Sequence, residues 1–308
     1  MTRNASETRQ RNGTGEAVTD EPPVDTSGSE TASELSGEDL VLRYPSTDEP
    51  VIDGERLAAT PGAVTALVGP NGSGKSTLLK GLAKQLAPDE GTVLLDGRDV
   101  HSMGTKELAR KLGLLSQEST SPESITVEDL VYHGRYPHRG FFETVTEEDI
   151  RAVDRAIDLA GCGHLRGREV GSLSGGQKQL AWVAMVLAQD TDVLLLDEPT
   201  TFLDLHHQLE VMEIVETLRD ESDITVVVVL HDIEQAARLA DEMVALEDGA
   251  IQARGTPEEV VTEELLADVF EIDAEVDVTE RGPRVTPLRA RHDAEEAERS
   301  PADASEAE

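Results

Sequence analysis

Residues 69–77 read Gly69-Pro70-Asn71-Gly72-Ser73-Gly74-Lys75-Ser76-Thr77, and no other stretch restricts the fold so tightly. A short apolar run with β-branched residues, Ala63 to Val68, precedes it. A helical pattern of Leu78, Leu79, Leu82, Ala83 and Leu86 follows it. Strand, glycine-rich turn and helix in that order match the phosphate-binding loop G-x-x-x-x-G-K-[ST]. Glycines let the backbone wrap closely round phosphates with its N–H groups facing inward, and the helix N-terminus adds positive potential. All nine residues are candidate nucleotide contacts. Lys75 is expected to reach the β- and γ-phosphates, and the Ser76 hydroxyl to ligate Mg2+.

A second pattern fits the first. Val193-Leu194-Leu195-Leu196 is an apolar strand that delivers Asp197 and Glu198 at its C-terminal end, where ligand sites of α/β sheets lie. Paired carboxylates there are costly unless a cation is near. Asp197 is therefore expected to hold Mg2+ through water, and Glu198 to polarise an attacking water. Further strands are expected at Leu40–Tyr44, Thr92–Asp96, Leu112–Leu115 and Thr225–Leu230. Helices are expected at Leu209–Leu218 and Ile233–Leu239, and residues 126–165 read as a helical insert. Strands alternating with helices predict an α/β chain with a mostly parallel sheet covered on both faces. No internal repeat is found.

Leu173-Ser174-Gly175-Gly176-Gln177 opens a helical run upstream of Asp197. Together with the phosphate loop it resembles the ATP-binding-cassette (ABC) ATPases, over about residues 39–288. The resemblance implies a P-loop NTPase with a RecA-like parallel sheet core, a small antiparallel β subdomain and a helical subdomain near 118–180. It implies ATP and Mg2+ as ligands. It also implies site roles by position: Gln117 as a catalytic and Mg2+-directed glutamine, His231 as the histidine that contacts the γ-phosphate, and Tyr44 as the aromatic that stacks on adenine. Asp204 matches the D-loop aspartate, although Thr201 and Phe202 replace the small residues more usual before it. The signature Leu173–Gln177 would contact ATP held by a second copy, so the resemblance implies a head-to-tail homodimer and slow hydrolysis by one copy alone.

Three stretches, Gly134–His138, Gln179–Gln189 and Pro199–Gln208, look like those of the ATP-binding subunits of ferric-siderophore importers. Thr286-Pro287-Leu288 is similar as well. That likeness implies two membrane permease subunits, an extracytoplasmic solute-binding protein and a place at the cytoplasmic face of the membrane. Cobalamin and haem importers are near cousins. A soluble, non-transport ABC ATPase is the alternative from another class. The positive balance of residues 134–139 is expected to mark a surface for the membrane partners.

Composition limits what remains. The chain has 63 Asp and Glu against 27 Lys and Arg, a net charge of −36, which repels nucleic acid. Only six of the basic residues are lysine. An acidic, lysine-poor chain resembles the proteins of salt-loving archaea, where high ionic strength screens self-repulsion. No apolar run approaches the roughly 18–20 residues that span a bilayer, and the N-terminus lacks an apolar signal stretch, so a soluble intracellular chain is expected. Residues 1–38 and 289–308 are polar and acidic and are expected to be disordered tails. Cys162, the one cysteine, reads as a packing residue and Trp182 as helix core. His133, His138, His206 and His207 lack partners at ligand spacing and are not expected to hold a metal.

Overall fold

Residues 64–68, 193–197 and 225–229 are buried along their whole length, as strands covered on both faces must be. The computed structural model describes residues 32–117, 122–140 and 143–291. The first part of the chain runs β1 (Leu35–Leu42), β2 (Ile52–Ala59), β3 (Val64–Val68), α1 (Lys75–Leu82), β4 (Glu90–Leu95), β5 (Arg98–Asp99), α2 (Thr105–Lys111) and β6 (Leu112–Leu115). Helices α3 (Val127–His133), α4 (Glu147–Leu159) and α5 (Gly175–Leu187) follow, then β7 (Val193–Asp197), α6 (Leu205–Glu221), β8 (Thr225–Val229) and α7 (Ile233–Leu239). The last part is β9 (Glu242–Glu247), β10 (Ala250–Gly255), α8 (Pro257–Val260), α9 (Glu263–Asp268), β11 (Ile272–Thr279) and β12 (Gly282–Ala290).

The central sheet has the order β10-β9-β3-β8-β7-β6. All its pairings are parallel except β9 with β10. Its side chains alternate between two cores, as strand geometry dictates. Val64, Ala66, Val68, Leu194, Leu196, Val226 and Val228 face the cluster built with α5, α6 and α7. Leu67, Val193, Leu195, Val227 and Val229 face the other cluster, with Leu78, Leu79 and Leu82 of α1. Behind α1 lies an antiparallel sheet of order β2-β1-β4-β5. Helix α1 thus sits between two sheets, and its N-terminus is fixed where β3 ends.

Helices α3, α4 and α5 pack on one another, and α5 also touches β6. Each begins on a side-chain cap: Thr126, Thr146 and Ser174 accept from the backbone N–H three residues on, the arrangement that satisfies a helix's first free donors. In the positive stretch at 134–139 one of the two arginines is internal. Arg135 is 1% exposed and donates to Asp149 Oδ1 at 3.0 Å and to the Ala188 carbonyl at 3.0 Å. His138 reaches the Gln189 carbonyl at 2.7 Å, and Arg139 donates to the Glu143 carbonyl. Arg135 and His138 thereby tie the segment after α3 to α4 and to the end of α5, and Tyr136 is exposed.

Two boundaries also differ. Strand β1 starts at Leu35, within the expected tail, and pairs with both β2 and β4. At the other end β12 runs to Ala290, and Arg291 forms ion pairs with Asp273 and Asp268, so order passes the expected boundary at 289. The rest of both expected tails, and part of the expected link after Gln117, lie outside the described residues. Cys162 is buried as expected, and burial pushes its thiol up to about 11. Trp182 is half-buried against the core. Among the described residues no helix is long and apolar enough to cross a membrane.

Candidate functional site

The phosphate loop leaves β3 at Val68 and enters α1 at Lys75. Gly69 has a φ of +146°, and a Cβ there would lie 2.0 Å from the Leu246 carbonyl oxygen, so only glycine fits. Lys75 is 4% exposed. Its ammonium donates to the carbonyls of Gly69 and Pro70 at 3.0 and 2.7 Å, and to Ser73 Oγ at 3.4 Å. Burial pulls the Lys75 amine below its ordinary pKa, against the charges of Glu198 and Asp197. Tyr44 comes from the loop after β1. Its hydroxyl is 3.3 Å from that of Thr77, and Lys80 Nζ lies 5.9 Å from its ring centroid, within cation–π range.

Parallel pairing of β7 with β3's neighbour β8 brings the second pattern to the same end of the sheet. Ser76 Oγ donates to Asp197 Oδ1 at 2.7 Å. Burial pushes the Asp197 carboxyl above its ordinary value. The Ser76 bond opposes that shift, and the neighbouring Glu198 charge adds to it. Glu198 follows with a φ of +51°. Its Oε2 accepts from Gln117 Nε2 at 2.6 Å and from Thr201 Oγ1 at 3.1 Å, and lies 2.6 Å from His231 Nε2. Gln117 follows β6, and His231 follows β8 after Leu230. Four strand ends, those of β3, β6, β7 and β8, therefore supply one cluster.

The residues present fit Mg2+. Ser76 and Asp197 offer hard oxygen donors already within 2.7 Å of each other, and Asp197 is a buried carboxylate that a cation would compensate. One hydroxyl and one carboxylate do not fill an octahedral shell, so phosphate oxygens and water would supply the rest.

The signature is not part of this cluster. Ser174 caps α5, and Ser174 and Gln177 exchange bonds of 3.3 Å between side chain and backbone. Ser174 and Gly175 are exposed. Gly176 is buried against His207: a Cβ there would meet the ring at 2.3 Å. His207 Nδ1 in turn lies 2.8 Å from Asp204 Oδ1, which also accepts the His207 backbone N–H at 3.0 Å. That N–H and the ring hold the Asp204 carboxyl below the usual range. Sequence reasoning missed His207, because a histidine beside another looks like helix surface and its contact is with a residue far away in the chain. It also missed Thr201 as a partner of Glu198, although its place three residues on was a usable signal.

A family model described as ABC transporter matches residues 52–201. The chain is 43% identical over 84% of its length to the ferric enterobactin transport ATP-binding protein FepC of Escherichia coli (strain K12), covering 96% of that protein. It is 45% identical over 79% of its length to the probable siderophore transport system ATP-binding protein YusV of Bacillus subtilis (strain 168), covering 88%. Among solved structures it resembles an ABC transporter in an inward-facing conformation, with a TM-score of 0.71 and 28% identity over 84% of this chain and 98% of that one. It also resembles a dimeric bacterial ABC transporter cassette, with a TM-score of 0.65 and 26% identity over 72% of this chain and 98% of that one.

Proposed function

The chain belongs to the ATP-binding subunits of ABC transporters, and on that premise we propose that it powers uptake of ferric siderophores from the cytoplasmic face of a membrane. It is an ATPase by family. The observation that carries the catalytic reading is the convergence of Lys75, Ser76, Asp197, Glu198, Gln117 and His231 at one end of the sheet, with the signature elsewhere. Similarity to siderophore-transport ATPases along most of the chain supports the cargo.

In this reading the phosphate loop, residues 69–77, wraps the phosphates with its backbone N–H groups, and Lys75 leaves its carbonyl partners for phosphate oxygens. Tyr44 lies beside the adenine. Ser76 and Asp197, with Gln117 near, would hold Mg2+, which would supply neutralisation of phosphate charge. Glu198 orients a water and takes its proton, and His231 and Gln117 hold Glu198 in place until nucleotide arrives. Residues 173–177 of a second copy close over the γ-phosphate, so catalysis is by orientation and electrostatics. Hydrolysis removes that contact and reopens the pair. Two permease subunits receive the movement, and a solute-binding protein acts on them from outside.

Hydrolysis is measured in about 2–3 M KCl, where charge is screened. The chain is assayed alone and with its co-purifying permease in lipid. Each loaded binding protein is added in turn. Stimulation by a ferric-siderophore-loaded protein supports the proposal. Stimulation by a cobalamin-loaded protein alone would move the cargo to cobalamin, and indifference to any membrane partner would point to a soluble ATPase. Substituting Glu198 with Gln is expected to lower hydrolysis by about 10²- to 10⁴-fold and to trap an ATP-bound dimer. Hydrolysis at the parental rate would remove Glu198 as the base.

A further inference from the structure

The segment after α3, residues 134–139, is pinned from two sides. On one side are carbonyls at the end of α5: Arg135 donates to that of Ala188 at 3.0 Å, and His138 Nε2 lies 2.7 Å from that of Gln189. On the other is α2, whose Arg110 donates to the Pro137 carbonyl at 2.8 Å and Lys106 to the Arg139 carbonyl at 2.7 Å. Gly134 rests directly on α5: a Cβ there would lie 2.1 Å from the Met185 carbonyl oxygen. Gln189 closes the arrangement. Its side-chain amide donates to the carbonyls of Ala109 and Leu112, one in the last turn of α2 and one at the start of β6. The last carbonyls of a helix have no partner within it. This amide therefore satisfies α2 from outside, while the main chain of the same residue holds the pinned segment.

We propose that Gln189 is a positioning residue for the signature: by fixing the C-terminal end of α5 to α2 and β6, it sets where Leu173–Gln177 stands at the other end of that helix. This inference rests on the reading that the signature contacts the γ-phosphate of a second copy, and it names what aims the signature. Helix α5 runs from Gly175 to Leu187, a rod of about 20 Å at the usual rise per residue. The signature opens the rod, and Gln189 lies just past its end. A tilt of about 6° at one end of such a rod displaces the other by about 2 Å.

The apolar contacts of α5 with α3, α4 and β6 are non-directional, so they keep the helix close without fixing its angle. Hydrogen bonds are directional, and those of Gln189 supply the missing constraint. The same strand serves the chemistry: the Gln189 amide is bonded where β6 begins, and Gln117, beyond the end of β6, donates to Glu198. Strand β6 is thus the common reference for the signature helix and the proposed base. A misplacement of about 1 Å far from the reacting atoms can cost about a hundredfold in rate, so an anchor at the far end of α5 reaches the reaction without touching it.

The test removes the donors and keeps the length with Gln189→Met. Spin labels on Asp53→Cys, in β2, and His164→Cys, ahead of the signature, report the distance between core and insert in single copies without ATP. Both positions are exposed, and Cys162 is buried away from label. In about 2–3 M KCl, Gln189→Met is expected to shift or broaden that distance by about 2 Å. In the complete transporter in lipid it is expected to lower kcat by about tenfold to a hundredfold, with ATP affinity of single copies unchanged. Arg110→Met, at an exposed position, is expected to move the distance in the same direction by less. Val260→Ala, buried in α8, controls for lost stability and is expected to leave distance and kcat in place. An unchanged distance in Gln189→Met overturns the proposal, as does a parental kcat. If Glu198→Gln stays single with ATP, the head-to-tail reading fails, and the distance alone decides whether Gln189 aims α5.

Discussion

Three groups converge on one oxygen, Glu198 Oε2: Gln117, His231 and Thr201. That leaves Oε1 as the oxygen through which Glu198 can take up a water. Thr201→Val removes the hydroxyl and keeps the shape. It is expected to lower kcat by roughly tenfold to a hundredfold, the worth of one hydrogen bond to a charged group, with KM for ATP unchanged in steady-state assays. Asp197 gives a pH argument. Its folded pKa is raised, chiefly by burial, so the folded chain holds that proton more firmly than the unfolded chain does. Stability from this group is full below the ordinary carboxylate value and falls as pH rises through the window up to the raised value. At neutral pH the ionised group is therefore a cost. Asp197→Asn is expected to raise the melting temperature at pH 7 while abolishing Mg2+-dependent hydrolysis. A lower melting temperature would contradict the burial argument. These residues were legible because each follows an apolar strand, and strand ends in a parallel sheet meet at one edge. His207 was not legible, because its meaning lies in a contact with Gly176 that no local pattern records.

Among the elements, α4 is tied to α5 by the buried pair of Arg135 and Asp149 and by the Ala188 carbonyl. Arg135→Leu leaves Asp149 buried without its partner and is expected to cost about 3–5 kcal/mol, measured by denaturant unfolding. Helices α5 and α6 meet where His207 covers Gly176. His207→Ala opens that contact and frees Asp204, so ATP-driven dimerisation should weaken while ATP binding by single copies holds. His207→Asn, which retains a polar group near Asp204, should recover part of it. The sequence pattern located β3, β4, β6, β7 and β8 within a residue or two but missed β9, whose apolar run Met243–Leu246 is buried between β3 and β10. It missed the start of β1 for a definite reason. Leu35 and Gly37 face inward, but the next inward residues are Leu40 and Leu42, and the register shifts between Gly37 and Leu40. That bulge, at Asp39 with a φ of +50°, breaks the period of two on which strand reading depends. The hairpin of β11 and β12 escaped notice because its strands alternate with Asp, Glu and Thr and are largely exposed.

For the whole molecule, charge is the governing quantity. Most of the ion pairs are exposed, and such pairs contribute only about 0–1 kcal/mol each, too little to offset a net −36. Salt shortens the Debye length from about 10 Å at 0.1 M to about 3 Å at 1 M. The melting temperature should therefore climb with KCl over that range, and an uncharged osmolyte should not reproduce the ionic part of the gain. A flat response to KCl would show that the acidic surface is not a burden. The same screening should favour pairing of copies, because like-charged partners repel least when ions are dense.

The left-handed turn at Glu198 also governs which replacements this position tolerates. Successive side chains of a strand point to opposite faces, so two adjacent carboxylates can serve one site only if the backbone turns after the first, and here it turns at Glu198. A β-branched side chain is a steric outlier at such a φ. A lineage that loses catalysis at this position can drift readily to asparagine, aspartate or glycine, while valine and isoleucine would disrupt the loop itself. Inactive descendants of such a chain are thus expected to keep its shape and to lose only its chemistry, so a cassette that no longer hydrolyses can still serve as a partner for one that does.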